Sequence, residues 1–139
     1  MVQLIVGNKG KGKTKHLLDK VNKEIRTAAG NIVYLDKSTK HMYELNNRVR
    51  LIDVSQYMIR NNSEFVGFIS GIISQDHDLQ QMYLDSFLKI ARVNDSNVKE
   101  TIAELDQIGK KFEVDFVISI SIDEVAVPEE YKENIIISL

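Results

Sequence analysis

Gly7-Asn8-Lys9-Gly10-Lys11-Gly12-Lys13-Thr14 fits the pattern G-x-x-x-x-G-K-[ST] at every fixed position. A polyphosphate needs several donors converging on it at once. Glycines let the backbone turn inward so that its N–H groups face such a ligand. In this pattern the lysine, Lys13, reaches the β- and γ-phosphates, and the Thr14 hydroxyl is a ligand for Mg²⁺. A helix starting near Lys13 would place its positive dipole end beneath the same phosphates. The flanks agree with this reading. Val2 to Val6 is a short apolar run with the character of a buried strand, and Leu17, Leu18, Val21 and Ile25 follow at helical spacing. Strand, glycine loop and helix thus come in the required order.

Composition narrows the class. The chain has 139 residues, 43% hydrophobic and 27% charged, which predicts a globular fold of one domain over residues 1–139, and the glycine loop makes the expected domain a nucleotide-binding one. It has no cysteine, which excludes disulfides, zinc–thiolate sites and thiol catalysis. No apolar run approaches the ~20 residues of a membrane span. The first residues enter a strand directly, with no signal-peptide pattern, so the expected compartment is the cytoplasm. Net charge is −2, unevenly spread. Residues 1–50 hold 11 Lys/Arg and 4 Asp/Glu (+7), and residues 51–139 hold 7 and 16 (−9). The basic half carries the glycine loop. No Lys/Arg run with interleaved aromatics appears, so nucleic acid is not the expected partner.

The glycine loop resembles the Walker A segment of P-loop nucleoside triphosphatases, specifically over residues 2–28. Among these it differs from the ParA/MinD type, whose extra lysine falls at the second motif position, here Asn8. The resemblance implies that Gly7 through Lys15 (Gly7, Asn8, Lys9, Gly10, Lys11, Gly12, Lys13, Thr14, Lys15) hold a nucleoside triphosphate with Mg²⁺. Lys9 and Lys11 are either extra phosphate attraction or solvated loop charges. Gln81-Met82-Tyr83-Leu84-Asp85 is similar to a Walker B segment, a strand ending in the aspartate that orients a Mg²⁺ ligand. Asp85 is alternatively a strand-end cap. In Phe116 to Ile122, the alternation puts Val117, Ser119 and Ser121 on one face of a strand. A polar group at its tip resembles the sensor position of RecA-like ATPases, with Ser121 placed first and Ser119 second; a serine packed in the sheet is the other reading.

Strands alternate with helices along the chain, which predicts an α/β fold: a parallel sheet of about six strands in a three-layer α/β/α arrangement. The strands are expected near residues 2–6, 31–35, 50–54, 80–85, 115–122 and 135–138. Residues 50–54 should form an edge, because Arg50 and Asp53 are charged. In the RecA-like order the strand at 115–122 separates the glycine-loop strand from the Asp85 strand; in the kinase–GTPase order those two are neighbours. The Asp85-Ser86 ending and the two serines favour the RecA-like order.

Smaller features complete the expectations. Gly30 is a natural C′ residue for a first helix ending near Ala28. Asp36 ends the second strand, where it either caps the next turn or touches metal or substrate. Phe65, Phe68, Ile69, Ile72 and Ile73 give a helix with a broad apolar face after the Asn61-Asn62-Ser63 turn, which offers an N-cap. Gly67 and Gly71 in that helix would let a neighbour approach closely. Asn97 and Glu100 have capping-box spacing ahead of a helix running to about Glu113. Asp76-His77-Asp78 reads as a turn rather than a metal site, and His16 and His41 are isolated. Pro128 starts a short helical turn.

No N-K-x-D guanine motif is present, so ATP is favoured over GTP. A water-orienting glutamate is not evident; Glu44 and Glu64 are candidates by type only. The expected function is therefore ATP binding with slow or partner-activated hydrolysis. A protein partner or a second copy of the chain would supply what is missing. The alternatives are a small-molecule or nucleoside kinase, against which the scarcity of arginine counts, and a nucleotide-dependent switch. Small bacterial proteins of similar size and pattern carry the label of twitching-motility ATPase; that resemblance extends to the P-loop core alone, since the longer motors' acidic and histidine motifs are absent here.

Overall fold

The computed structural model describes residues 1–139. The sheet comprises β1 (Val2–Val6), β2 (Asn31–Asp36), β3 (Arg50–Asp53), β4 (Leu79–Leu84), β5 (Asp115–Ile120) and β6 (Ile135–Ser138). All neighbours are parallel, in the order β3-β2-β4-β5-β1-β6. These are the six strands expected from the sequence, with ends moved by one or two residues. The β5 strand lies between β1 and β4, and β3 is an edge strand.

The helices are α1 (Lys13–Glu24), α2 (Asn62–Ser74), the single turn α3 (Phe87–Ile90) and α4 (Val98–Phe112). Leu17, Leu18 and Val21 of α1 meet Ile5, Tyr34, Tyr83 and Val117 in a core of 10 buried residues on one face. A core of 25 on the other face takes Phe65, Ile69 and Ile73 from α2 and Ile102 and Leu105 from α4. The imbalance follows from coverage: one helix covers the first face, while α2, α3 and α4 cover the second. The chain leaves β1 toward the first face and β4 toward the second. Their exits diverge on either side of β5, which opens a crevice at the carboxyl edge of the sheet.

Several local expectations need correction. Helix α1 ends at Glu24, and Gly30 has no positive φ, so it is not a left-handed cap. It is required instead by close approach, because a Cβ there would collide with the carbonyl oxygen of Asp78. Gly67 and Gly71 do the opposite of what their spacing suggests: a Cβ at either meets open space. Asn97 makes no side-chain cap, since its Oδ1 accepts from the Asn94 amide at 2.8 Å, and the capping box does not form. Asn61 does cap α2, accepting from the Glu64 amide at 2.9 Å. Asp76 accepts the amide of Asp78 at 3.0 Å in the turn before β4. No helix is long and apolar enough to cross a membrane.

Candidate functional site

The loop after β1 is built on left-handed glycines. Gly10 has φ 87° and Gly12, which begins α1, has φ 92°. Side chains with a Cβ rarely adopt these angles. No side chain caps α1, and its first turn contains no acid. Its leading amides are therefore open donors at the positive end of the helix. Above them lies a cavity of about 310 Å³, lined by Lys9, Lys13, Lys37 and Lys89 and by a single carboxylate, Asp85. Four cations against one anion give this cavity a positive lining.

Lys13 is mostly buried, and its Nζ donates to the Asn8 carbonyl at 3.2 Å. Burial lowers its pKa from the ordinary lysine value, with the charge of Asp85 acting in the opposite direction. An anion placed in the cavity would offset that burial cost.

Asp85 follows the last residue of β4 and is 2% exposed. Four donors converge on its carboxylate. Oδ1 accepts from Thr14 Oγ1 at 3.2 Å, Ser119 Oγ at 2.8 Å and the Ser86 amide at 2.8 Å; Oδ2 accepts from Tyr34 Oη at 2.9 Å. Ser86 sits at φ 55°, a conformation that aims its N–H back at Asp85 and at Ser119 Oγ (3.1 Å). The structure thus brings together side chains from α1, β2, β5 and the end of β4.

Both serines of the β5 stretch line the cavity, in different settings. Ser119 is 1% exposed and bonded to Asp85. Ser121 is exposed and lies beyond the end of the strand at Ile120, where the inward alternation has lapsed. Lys9, Gly10, Gly12, Lys13 and Thr14 line the cavity; Gly7, Asn8, Lys11 and Lys15 do not. Glu44 and Glu64 are not on it either: Glu44 bonds His41, and Glu64 bonds Arg60.

Tyr34, Lys37 and Lys89 carry no motif and were missed by sequence reasoning. Tyr34 had one legible signal. A tyrosine inside an apolar strand must find a partner for its hydroxyl when buried, and burial beside Asp85 raises its pKa.

Asp36 ends β2 next to the strand of Asp85. It is 2% exposed; Oδ1 accepts from the Lys37 amide at 2.7 Å, and Oδ2 is the one buried side-chain oxygen without a partner. Burial, then the negative charge of Asp85, raise its pKa, against the pull of the Lys37 amide and of His41 and Lys37.

The backbone is similar to that of the KaiC-like protein PH0186 from the hyperthermophilic archaeon Pyrococcus horikoshii OT3. The TM-score is 0.60 over 85% of this chain, with 17% sequence identity. The chain has a RecA-like fold. The match spans 59% of the length of the archaeal protein. No protein-family model and no curated protein matches the sequence. Within the RecA-like sheet, the Lys13–Thr14 pair and Asp85 flank β5 at the carboxyl edge.

The residues present suit Mg²⁺. Thr14 Oγ1 and Asp85 Oδ1 are hard oxygen donors 3.2 Å apart, and no cluster of three or more acidic or histidine side chains forms a cage. Mg²⁺ favours one or two protein oxygens completed by water and substrate phosphates.

Proposed function

We propose that this protein binds MgATP in the crevice beside β5 and hydrolyses it slowly unless a partner acts on it. The observation that carries the reading is the 3.2 Å contact between Thr14 and Asp85 beside a buried Lys13, in a cavity lined by four lysines. The loop amides and Lys13 would hold the β- and γ-phosphates. Thr14 would ligate Mg²⁺ directly, and Asp85 would orient a water in its shell. The metal supplies charge neutralisation on the phosphate oxygens. Tyr34, Ser119 and the Ser86 amide fix the Asp85 carboxylate, so that it need not reorganise when the nucleotide arrives. ATP is preferred to GTP because the guanine motif is absent.

Asp85 is the only carboxylate lining the cavity; Asp36 ends the neighbouring strand with one buried oxygen unbonded and would have to be uncovered to orient an attacking water. Its burial holds it away from solvent, which fits slow turnover by the isolated chain. No arginine lines the cavity, so an arginine from a partner or a second copy would complete the site.

Calorimetric titration with MgATP tests the binding step. The wild-type chain should bind, and Lys13→Ala should lose most of the affinity while keeping its circular dichroism spectrum. Equal affinity in the two proteins would refute the assignment of the loop.

A further inference from the structure

A second cavity, of about 380 Å³, opens beside the first over the ends of β2 and β3. Lys37 and Lys89 line both. The second cavity has two kinds of wall. Val54, Ile59 and the half-exposed Tyr57 present apolar surface, while Lys37, Lys89 and Arg92 present positive charge.

None of these three cations pairs with a carboxylate. Lys89 sits below the usual lysine range because Lys37, and then Lys9, crowd it with like charge. Arg92 is held in place from two sides. Its backbone has φ 56°, which residues with a Cβ rarely adopt, and its Nε donates to the Ile59 carbonyl at 3.2 Å. That bond leaves the two terminal nitrogens of the guanidinium free. A planar fork of this kind matches two oxygens of one phosphate better than any ammonium does. Three unpaired cations also suit a dianion better than a monoanion.

We propose that this second cavity binds a phosphomonoester with an apolar or aromatic body, its phosphate on Lys37, Lys89 and Arg92 and its body against Val54, Ile59 and Tyr57. The volume falls within the range of small-molecule sites, about 300–1,000 Å³. The two cavities adjoin and share Lys37, Leu88 and Lys89, whereas Arg92, Tyr57, Val54 and Ile59 line only the second.

Phenyl phosphate is the probe. It is titrated into the isotope-labelled full chain, first saturated with MgADP, while backbone amide shifts are followed. Saturable shifts should appear at residues 54–59 and 88–92. Inorganic phosphate should bind there more weakly, and phenol should not bind. Arg92→Gln should weaken phenyl phosphate roughly 10- to 100-fold through loss of a charge-assisted contact, with MgADP affinity unchanged. Tyr57→Ala, a change at a half-exposed position, should weaken the probe several-fold and serves if Arg92→Gln fails to fold. If MgADP does not bind, the loop reading fails, and the same titration without nucleotide still reports on the second cavity. The proposal is overturned if the probe shifts only residues 7–15, if saturating MgADP abolishes its binding, or if a folded Arg92→Gln or Tyr57→Ala protein binds it as tightly as wild type.

Discussion

Asp36 and Asp85 end neighbouring parallel strands, and the fold treats their carboxylates in opposite ways. Asp85 receives four hydrogen bonds, whereas Asp36 receives one and keeps a buried oxygen without a partner. The first arrangement is an anchored charge. The second is a local cost to stability, of a kind that clusters at functional sites.

That cost gives a signed expectation for Asp36→Asn. Because the folded pKa is raised, the native state holds the proton more tightly than the unfolded chain does. Below the unfolded value near 3.8 both states are protonated and no penalty exists. Stability is then lost as pH rises through the folded value, and the full penalty is present at neutral pH. Asparagine cannot ionise. The variant should be more stable than wild type at pH 7 by about 1–3 kcal/mol, the cost of an unsatisfied buried group, and the gain should vanish near pH 3.5. It should also hydrolyse ATP more slowly. Urea unfolding at several pH values checks the first part; a variant less stable at pH 7 than at pH 4, relative to wild type, would reverse the sign.

Tyr34 and Asp85 should be energetically coupled. Tyr34→Phe leaves Asp85 Oδ2 without its only donor and should cost about 1–3 kcal/mol. In Asp85→Asn, the amide can face Tyr34, whose hydroxyl can accept, while Oδ1 keeps its three donors. That variant should therefore fold but show weakened Mg²⁺ dependence of ATP binding. A double-mutant cycle should give a coupling of about 0.5–3 kcal/mol; additive effects would mean that the 2.9 Å contact contributes nothing.

The strands and the glycine loop were legible in the sequence because each is a local pattern; the sheet order was a preference between two arrangements, because spacing along the chain does not set which strands pair. Short apolar runs mark the strands, and the loop motif fixes which strand stands beside the site. The environment of Asp85 was legible only in part. Tyr34 lies 51 positions away and Ser119 lies 34 away, and neither carries a spacing rule. Ser121 was placed before Ser119 for its position at the tip of the β5 stretch, and nothing in that pattern marks Ser119 as the serine bonded to Asp85. The glycines were misread for a related reason. Gly67 and Gly71 show helical spacing, but spacing does not reveal whether a neighbour is present. Gly30 is needed because of Asp78, which is 48 residues away in the chain.

These glycines give predictions of opposite sign. Gly30→Ala should destabilise the protein, because the added Cβ meets backbone that cannot rotate away. Gly67→Ala and Gly71→Ala each add a methyl into open space within α2, and each should stabilise by about 0.5–1 kcal/mol through helix propensity. Thermal melts of the three variants are sufficient, and a stabilising Gly30→Ala would show that the approach of Asp78 is not tight.

The last expectation concerns rate. The isolated chain should turn MgATP over well below the ~10 s⁻¹ median for enzymes. Lys13, Thr14 and Asp85 hold the phosphates and metal in the ground state of the proposed complex. The groups that act in the transition state are either withdrawn or missing. Asp36 is buried away from the attacking water, and no arginine lines the phosphate cavity. An arginine supplied in trans is worth roughly 10³–10⁵ in rate. If a second copy supplies it, specific activity should climb with protein concentration; if another protein does, activity should stay low at every concentration of this chain alone. A steady-state phosphate-release assay across a hundredfold range of protein distinguishes these cases. Turnover of tens per second at the lowest concentration would mean that the chain already contains a complete catalytic set, and that the assignment of Asp36 as a withdrawn group is wrong.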